Sequence, residues 1–352
     1  MYCYHPYHSV SVENNSYRVC CFSNRSGISV EDASIPEFFN SDYMKEMRAT
    51  MERGEWPEDC LKCKRFEDQG LPSLRTAFKH THGEGSLTPE LRYLDLQFSN
   101  KCNLGCRMCW PGQSSLIAEE KGIYIDYKWN KTIISDFEKI KTIKKLYITG
   151  GETLLVKHNY NFLQKVIELG ISKDVELIIN TNCTVFTENF INLIKQFKKV
   201  FVNLSIDGIG KVQEYIRWPS QWSEVEIVFN KWLALGKENK HIQVRVNPTL
   251  QLLNAAYMDE YIEYFSKYNV EIIINVLDHP DFFNLSYAPD SVWELINKQK
   301  LNNEAIKYAI EQKRANRNSE DFLSKAKNHL RIQDKFRKIN LDDYQPYFGF
   351  LK

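Results

Sequence analysis

Apolar residues in the central part of the chain form short continuous runs that alternate with longer amphipathic segments. Six runs rich in Val, Ile, Leu and Tyr predict β-strands at residues 91–98, 145–149, 175–180, 200–206, 242–246 and 271–276. In the intervening segments apolar residues recur every three or four positions, as at Phe162, Val166 and Leu169, which predicts helices. This alternation is typical of an α/β protein with a parallel sheet or barrel.

The pattern changes on either side of this central region. Before residue 90 it is irregular, and the polar, Gly-containing stretch 82–89 has the composition of a linker. After residue 287 the chain is polar with a helical period. We therefore predict a small cysteine-rich module at 1–88, a core at 89–288 and a helical region at 289–352.

Composition excludes several classes of protein. The chain has 352 residues, of which 43% are hydrophobic and 26% charged, so a disordered or fibrous protein is not expected. Its apolar runs are too short to cross a bilayer, and its N-terminus lacks a basic-then-apolar signal pattern. These features favour a cytoplasmic protein, in which nine cysteines indicate metal ligation rather than disulfides.

Three of those cysteines follow the first predicted strand directly. Cys102, Cys106 and Cys109 have the spacing Cys-x3-Cys-x2-Cys, with no further cysteine or histidine in the loop. Proteins usually hold each iron of a 4Fe-4S cubane with one thiolate, so three ligands leave one iron open. A structural zinc site needs four ligands. The alternatives are a cysteine-rich turn or a zinc site that borrows a distant ligand.

The triplet and its position resemble the signature of the radical S-adenosylmethionine (radical SAM) superfamily. The resemblance implies a partial (β/α)6 TIM-like barrel with its site at the carboxyl ends of the strands. It also implies that the open iron chelates S-adenosylmethionine and that reductive cleavage yields a 5'-deoxyadenosyl radical, which abstracts hydrogen from a substrate. Met108 matches the residue that packs against the adenine in this family.

A glycine-rich turn ends the second predicted strand. Gly150 and Gly151 would let the backbone approach a ligand closely, and Glu152 could pair with an ammonium group. Alone, this turn indicates only a tight strand exit. By resemblance it is the family's Gly-Gly-Glu motif, which contacts the methionine amino group.

Further candidate contacts lie at the ends of later strands. By resemblance, Ser205 and Asp207 belong to a Ser-x-Asp-Gly element near the ribose, Arg217 binds the methionine carboxylate, and Val246 packs beside the adenine. For Arg217 the alternative is an ion pair on a helix surface. Cys183 stands where the family often has glycine, and we expect it to be a small buried residue.

A second cysteine group precedes the core and resembles the twitch and SPASM modules of peptide-modifying radical SAM enzymes. Cys3, Cys20, Cys60 and Cys63 would close an auxiliary 4Fe-4S cluster, with Cys21 as a spare ligand. A four-cysteine zinc site is the alternative.

These features together predict a radical SAM enzyme that acts on a peptide or protein side chain and takes electrons from a donor such as flavodoxin or ferredoxin. One alternative is modification of a nucleotide or RNA, slightly supported by twelve Lys or Arg against five Asp or Glu in residues 298–338. A nucleic-acid partner is nevertheless not expected, because those charges are interspersed. An alternative of another class is a zinc-bearing interaction protein on an inactive barrel.

Overall fold

The computed structural model describes residues 2–24, 26–82, 87–128, 136–137, 140–318, 322–344 and 347–351. Its strands are β1 Ser9–Glu13, β2 Ser16–Arg18, β3 Tyr93–Gln97, β4 Lys145–Thr149, β5 Glu176–Thr181, β6 Lys199–Leu204, β7 Ile242–Val246, β8 Thr249–Leu250, β9 Glu271–Ile272 and β10 Asn275–Val276. Residues 83–86 of the predicted linker lie outside the described residues.

Eight of these strands form one sheet in the order β2-β1-β3-β4-β5-β6-β7-β9. All neighbouring pairs are parallel except β1 and β2, which form an antiparallel hairpin. Strands β8 and β10 pair separately. The prediction of an α/β fold is confirmed, and within the described residues the sheet is not closed into a barrel because β2 and β9 remain its two edges.

Helices connect the strands and cover the sheet. They are α1 Tyr4–His8, α2 Ile35–Phe39, α3 Asp42–Glu52, α4 Leu61–Asp68, α5 Leu74–His82, α6 Ser115–Glu120, α7 Lys157–Glu168, α8 Glu188–Ile194, α9 Lys211–Ile216, α10 Trp222–Glu238, α11 Met258–Ser266, α12 Asp290–Asn297, α13 Glu304–Ala315 and α14 Leu323–Arg337. The crossover helix predicted around Phe162 corresponds to α7. None of the helices in these described ranges is long and apolar enough to span a membrane.

The first 90 residues contribute more to the sheet than their irregular pattern predicts. Strand β1 lies parallel to β3, with Ser9 opposite Tyr93 and Ser11 opposite Asp95. Strands β1 and β2 are only five and three residues long, so their sequences carry little periodic signal. The sixth predicted strand is divided in the structure: β9 joins the main sheet, whereas β10 pairs with β8.

Alternation along the strands separates a core face from a cavity face. Leu94, Leu96 and Ile148 are fully buried in the hydrophobic core. Tyr93 and Asp95, which alternate with these leucines along β3, point to the other face of the sheet and line a cavity. The sheet thus places polar side chains around an internal space and ends its parallel strands at one edge.

Candidate functional site

The cysteine triplet lies in the loop between β3 and α6, at the carboxyl edge of the sheet. Cys106 is buried, and Cys102 and Cys109 are half-buried. Ser114, which caps α6, donates a hydrogen bond through Oγ to the carbonyl oxygen of Leu104 at 2.6 Å. The loop is therefore anchored at its end by the helix that follows it.

The segment after α9 holds the middle of this loop through backbone hydrogen bonds. The Gly105 N–H donates to the Trp218 carbonyl at 2.7 Å, and the Arg107 N–H donates to the Ile216 carbonyl at 2.8 Å. These bonds cross more than a hundred residues of sequence. They bring the neighbourhood of Arg217 against Cys106.

The Gly150–Gly151 turn packs against the start of the loop, and both residues have left-handed φ angles, +87° and +52°. A Cβ on Gly151 would lie 2.1 Å from the Lys101 carbonyl oxygen, and one on Gly150 would lie 2.7 Å from the Ser99 carbonyl oxygen. The Glu152 N–H donates to the same Lys101 carbonyl at 2.7 Å. Glycine is required here by both conformation and close backbone approach.

Glu152 is completely buried and joins the end of β4 to the end of β5. Its carboxylate accepts hydrogen bonds from the Asn182 N–H at 2.6 Å, the Thr181 hydroxyl at 2.7 Å and the Leu154 N–H at 3.2 Å. Burial raises its pKa to about 6, although these donors favour the charged form. The Asn182 amide lies 3.9 Å from Cys102 Sγ, so Glu152 supports the cysteine loop through its neighbours.

Arg217 and Asp207 form a buried ion pair beside Cys106. Arg217 Nε donates to Asp207 Oδ2 at 2.7 Å, and its Nη1 lies 3.8 Å from Cys106 Sγ. Asp207 is fully buried, and its other oxygen accepts from the Thr249 N–H at 2.7 Å. Both carboxylate oxygens of Asp207 are thus engaged within the protein, where Asp207 orients Arg217, and its predicted contact with the cofactor stays a prediction.

The other predicted contacts lie around the same edge. Ser205 follows β6 and is half-buried, with its N–H donating to the Thr181 carbonyl at 2.8 Å. Val246 is fully buried at the end of β7, and Met108 packs partly buried against the core. Their predicted roles toward the ribose and adenine stay predictions.

The three central thiols influence one another electrostatically. Burial, followed by the charge of Cys106, raises the pKa of Cys102 to about 12. Burial and the other two thiols likewise raise the pKa of Cys109. Thiolates there require positive charge, which irons of a cluster supply. No three Cys, His, Asp or Glu side chains in the described part of the chain are grouped to hold a single metal ion, but a cubane gives each thiolate its own iron.

The four predicted N-terminal ligands also come together, although they are up to 60 residues apart in sequence. Cys3, Cys20, Cys60 and Cys63 line one cavity with Arg75, and burial, followed by the charge of Cys20, raises the pKa of Cys3. The cavity measures 10 Å³, about the space of one water molecule. The four thiols suit four-thiolate ligation in type and number, but no three of them are grouped closely enough to hold a single metal ion, so a cubane or a zinc ion would each require the surrounding loops to move.

The remaining two cysteines separate from these groups. Cys183 is fully buried, as expected, and adopts the left-handed conformation with φ +61° in place of glycine. Cys21 lies outside the four-cysteine cavity and lines the cavity on the inner face of the sheet.

That inner cavity was not predicted and measures 240 Å³. Its polar lining residues include Ser9, Ser11, Asp95, Asn203, Arg245 and Asn247. Asn203 is 8% exposed, and no hydrogen-bond partner for its Oδ1 lies among the described residues. His5, Val19, Cys20 and Leu74 line both cavities, which makes them direct neighbours. A charged residue between Leu94 and Leu96 was the sequence signal that could have revealed Asp95.

Asp95 is 6% exposed, and its oxygens accept from the Ser11 hydroxyl at 3.2 Å and the Thr149 hydroxyl at 3.5 Å. Burial raises its pKa to about 7, and the charge of Glu13 acts in the same direction. A carboxyl that titrates near neutrality therefore faces the cavity.

A C-terminal contact was also missed. Arg107, between the second and third cysteines, is fully buried and forms an ion pair with Asp334 of α14. Its Nη1 donates to Gln333 Oε1 at 3.2 Å, and its guanidinium lies 4.2 Å from the centroid of the Tyr215 ring. The last long helix thus holds the cysteine loop, a contact that local sequence pattern gives no means to identify.

The sequence pattern of the Radical SAM superfamily matches residues 96–242, which include the triplet, the Gly-Gly-Glu turn and Arg217. Among curated proteins, GTP 3',8-cyclase of Clostridium botulinum is 20% identical over 187 residues, covering 52% of this chain and 55% of that protein. The radical SAM cyclopropyl synthase TigE of Paramaledivibacter caminithermalis is 26% identical over 226 residues, covering 59% of this chain and 46% of TigE. The chain thus matches about half the length of these relatives.

Solved structures give weaker similarity. Native anSMEcpe with bound AdoMet has a TM-score of 0.42 at 18% identity, covering 69% of this chain and 60% of that chain. Streptococcus suis SuiB bound to precursor peptide SuiA has a TM-score of 0.39 at 12% identity, covering 94% of this chain and 71% of that chain.

Proposed function

We propose that the protein cleaves S-adenosylmethionine reductively at a 4Fe-4S cluster held by Cys102, Cys106 and Cys109, because residues 96–242 match the sequence pattern of the Radical SAM superfamily. When bound, the cluster supplies the electron that converts S-adenosylmethionine to methionine and a 5'-deoxyadenosyl radical. The radical then takes a hydrogen atom from a substrate.

One observation carries this proposal: the triplet, the glycine turn and Arg217 meet at one edge of the sheet. The turn contacts the loop through the Lys101 carbonyl, and Arg217 reaches within 3.8 Å of Cys106 Sγ. The loop, the turn and Arg217 come from separate parts of the chain. If the cysteine loop were only a tight turn, contacts with the glycine turn and with Arg217 would not be required.

The chain's own residues would bind and orient the methionine end of the cofactor. Arg217 would bind the carboxylate, since Asp207 fixes its Nε and leaves its Nη atoms on the side of Cys106. The carboxylate of Glu152 is occupied by Asn182 and Thr181, so we assign the ammonium contact to the backbone carbonyls of Gly150 and Gly151. Ser205, Met108 and Val246 would then contact the nucleoside.

The test is anaerobic reconstitution followed by reduction with dithionite. We expect a brown protein that releases 5'-deoxyadenosine and methionine, with about eight irons per chain if two cubanes form. A colourless protein that binds only zinc and leaves S-adenosylmethionine intact would instead identify an interaction protein.

For the substrate, we propose a peptide or protein side chain. The support is the N-terminal four-cysteine group, which resembles the twitch and SPASM modules of peptide-modifying enzymes, and its cavity, which adjoins the cavity that contains Asp95. The reacting side chain would enter this inner cavity. An auxiliary 4Fe-4S cluster at Cys3, Cys20, Cys60 and Cys63 would accept the electron left after hydrogen abstraction or brace the cavity.

Replacing one auxiliary ligand distinguishes the two centres. We expect Cys60→Ala to keep cleavage of S-adenosylmethionine within about threefold of the wild type while product formation is lost, because the central triplet remains intact. Iron and zinc analysis of the same samples gives the metal. A fall from about eight to about four irons supports the auxiliary cluster, whereas loss of one zinc with unchanged iron supports the zinc site.

A nucleotide substrate is the second candidate. It is favoured by the matches to GTP 3',8-cyclase and by Arg245, which lines the inner cavity. The two candidates are distinguished by incubating the enzyme separately with GTP and with candidate peptides. Each compound carries deuterium on carbon atoms, where it does not exchange with water. Deuterium in 5'-deoxyadenosine derives only from the true substrate.

Asp95 predicts a pH dependence of stability. Burial raises its pKa from 3.8 to about 7, so the folded state holds the proton that the unfolded state releases. Its contribution is greatest below pH 4 and is lost as the pH rises through about 7, for a total of roughly 2–4 kcal/mol. We expect Asp95→Asn to be more stable than the wild type at pH 8 and the difference to vanish near pH 4, as measured by urea unfolding.

If the two proteins showed parallel stability curves from pH 4 to 8, Asp95 would not carry the raised pKa.

We further propose the cytoplasm as the compartment, because a reducing environment would keep the nine cysteines available for metal ligation.

A further inference from the structure

A groove of 680 Å³ runs along α14 on the outside of the molecule. Its rim includes Lys327, Arg331 and Lys335, and Tyr215 and Asp334 also line it. The opposite side is formed by the C-terminal residues Ile339, Leu341 and Leu351. The mechanism proposed above does not use this groove.

The groove is connected directly to the cysteine loop. Asp334 and Tyr215, which line it, both contact the buried guanidinium of Arg107. One turn further along α14, Arg337 forms a bidentate pair with Glu120 at 2.7 and 2.8 Å. A protein seated in the groove would therefore lie one layer of side chains from the loop that carries Cys106 and Cys109.

The exposed face of α14 is strongly basic. Lys327, Arg331 and Lys335 recur every four residues and form one stripe, in which Arg331 and Lys335 are exposed and Lys327 is half-buried. The one acidic residue of α14, Asp334, is buried. On the opposite side of the groove, Leu341 is followed in sequence by the acidic residues Asp342 and Asp343. The positive charge is therefore confined to the side of the groove that α14 forms.

An apolar pair accompanies this charge. Ile332 and Phe336 are adjacent on the helix surface, one turn apart, and their exposures are 60% and 63%. Large apolar side chains surrounded by charge are typical of protein interaction sites. The charge sign selects an acidic partner and speeds its association.

We propose that this face of α14, comprising Lys327, Arg331, Ile332, Lys335 and Phe336, is the docking site for an acidic one-electron carrier protein. The inference rests on the proposed function, because that reaction needs one electron per cleavage. The partner is acidic because of the stripe, and an electron carrier because two residues that line the groove, Asp334 and Tyr215, contact Arg107 of the cysteine loop.

The experiment compares Arg331→Glu/Lys335→Glu with the wild type, using flavodoxin as the probe. Direct binding of oxidised flavodoxin at low ionic strength should weaken at least tenfold. With reduced flavodoxin as donor, cleavage of S-adenosylmethionine should fall by a similar factor. With dithionite, which needs no docking, cleavage should stay within twofold of the wild type.

The matched control is Lys195→Glu/Lys231→Glu, the same charge change in a second groove formed by α8 and α10. It should bind flavodoxin as the wild type does. Unweakened binding in the α14 variant, or equal weakening in the control, would overturn the proposal. A dimer in solution that the α14 substitutions dissociate would assign the face to a second copy of the chain instead.

The binding measurement separates this inference from the proposed function. Absence of cleavage with dithionite in the wild type refutes the reaction. Normal cleavage with dithionite and unchanged flavodoxin binding in the variant refutes only the docking site.

Discussion

Cys106→Ala is expected to abolish cleavage of S-adenosylmethionine, with a loss of at least 10³-fold. Cys106 is the buried member of the triplet, and Arg217 lies 3.8 Å from its sulfur, so its removal takes away both a proposed cluster ligand and a contact of the loop with Arg217. Iron content should fall by about four per chain. The measurements are iron analysis and 5'-deoxyadenosine release after reduction with dithionite.

Cys183→Ala provides the control for this result. Cys183 is equally buried but donates its thiol to the Val225 carbonyl rather than facing the triplet. We expect this variant to retain full iron content. Equal cleavage by Cys106→Ala and the wild type would refute the assignment of the central site.

Gly151→Ala is expected to be the second most damaging change, although it adds one methyl group. Its Cβ would lie 2.1 Å from the Lys101 carbonyl oxygen, which is backbone and cannot rotate away. The φ of +52° adds a penalty of about 1–2 kcal/mol for alanine. We expect a loss of roughly 3 kcal/mol or more in stability and at least a hundredfold in cleavage, because the start of the cysteine loop must shift.

Gly170→Ala separates the two causes. Gly170 has a similar φ of +73°, but a Cβ there would meet nothing within 4 Å. We expect about 1 kcal/mol of destabilisation and unchanged cleavage. If urea unfolding gave the same loss for both variants, contact with Lys101 would not be what requires glycine at position 151.

The inner cavity and the groove on α14 differ in what they can select. The cavity is small and contains a carboxyl that titrates near neutrality, so it is suited to one side chain or a small group. The groove is open and basic, so it is suited to a protein surface. The proposals therefore place substrate and electron donor at separate sites, because the cavity and the groove share no lining residue.

Much of the fold follows from local patterns. Two of the six predicted strands have their observed ends, β4 and β7, and three others differ by one or two residues at either end, because short apolar runs between helical segments have few alternative arrangements. Strands β1 and β2 were missed, since β1 is stabilised by pairing with β3 and β2 by pairing with β1 rather than by their own sequence.

The sequence by itself determined which residues could carry the chemistry: the cysteine spacing, the glycine turn and the arginine are local features, visible without the fold. Only the tertiary structure decided how they work together. It assigned Asp207 to Arg217, brought four distant cysteines to one cavity, turned Asp95 toward the inner face and joined Arg107 to Asp334. These contacts join residues from 10 to more than 200 positions apart, and burial and pairing at such separations depend on packing of the whole chain, which no local window of sequence contains.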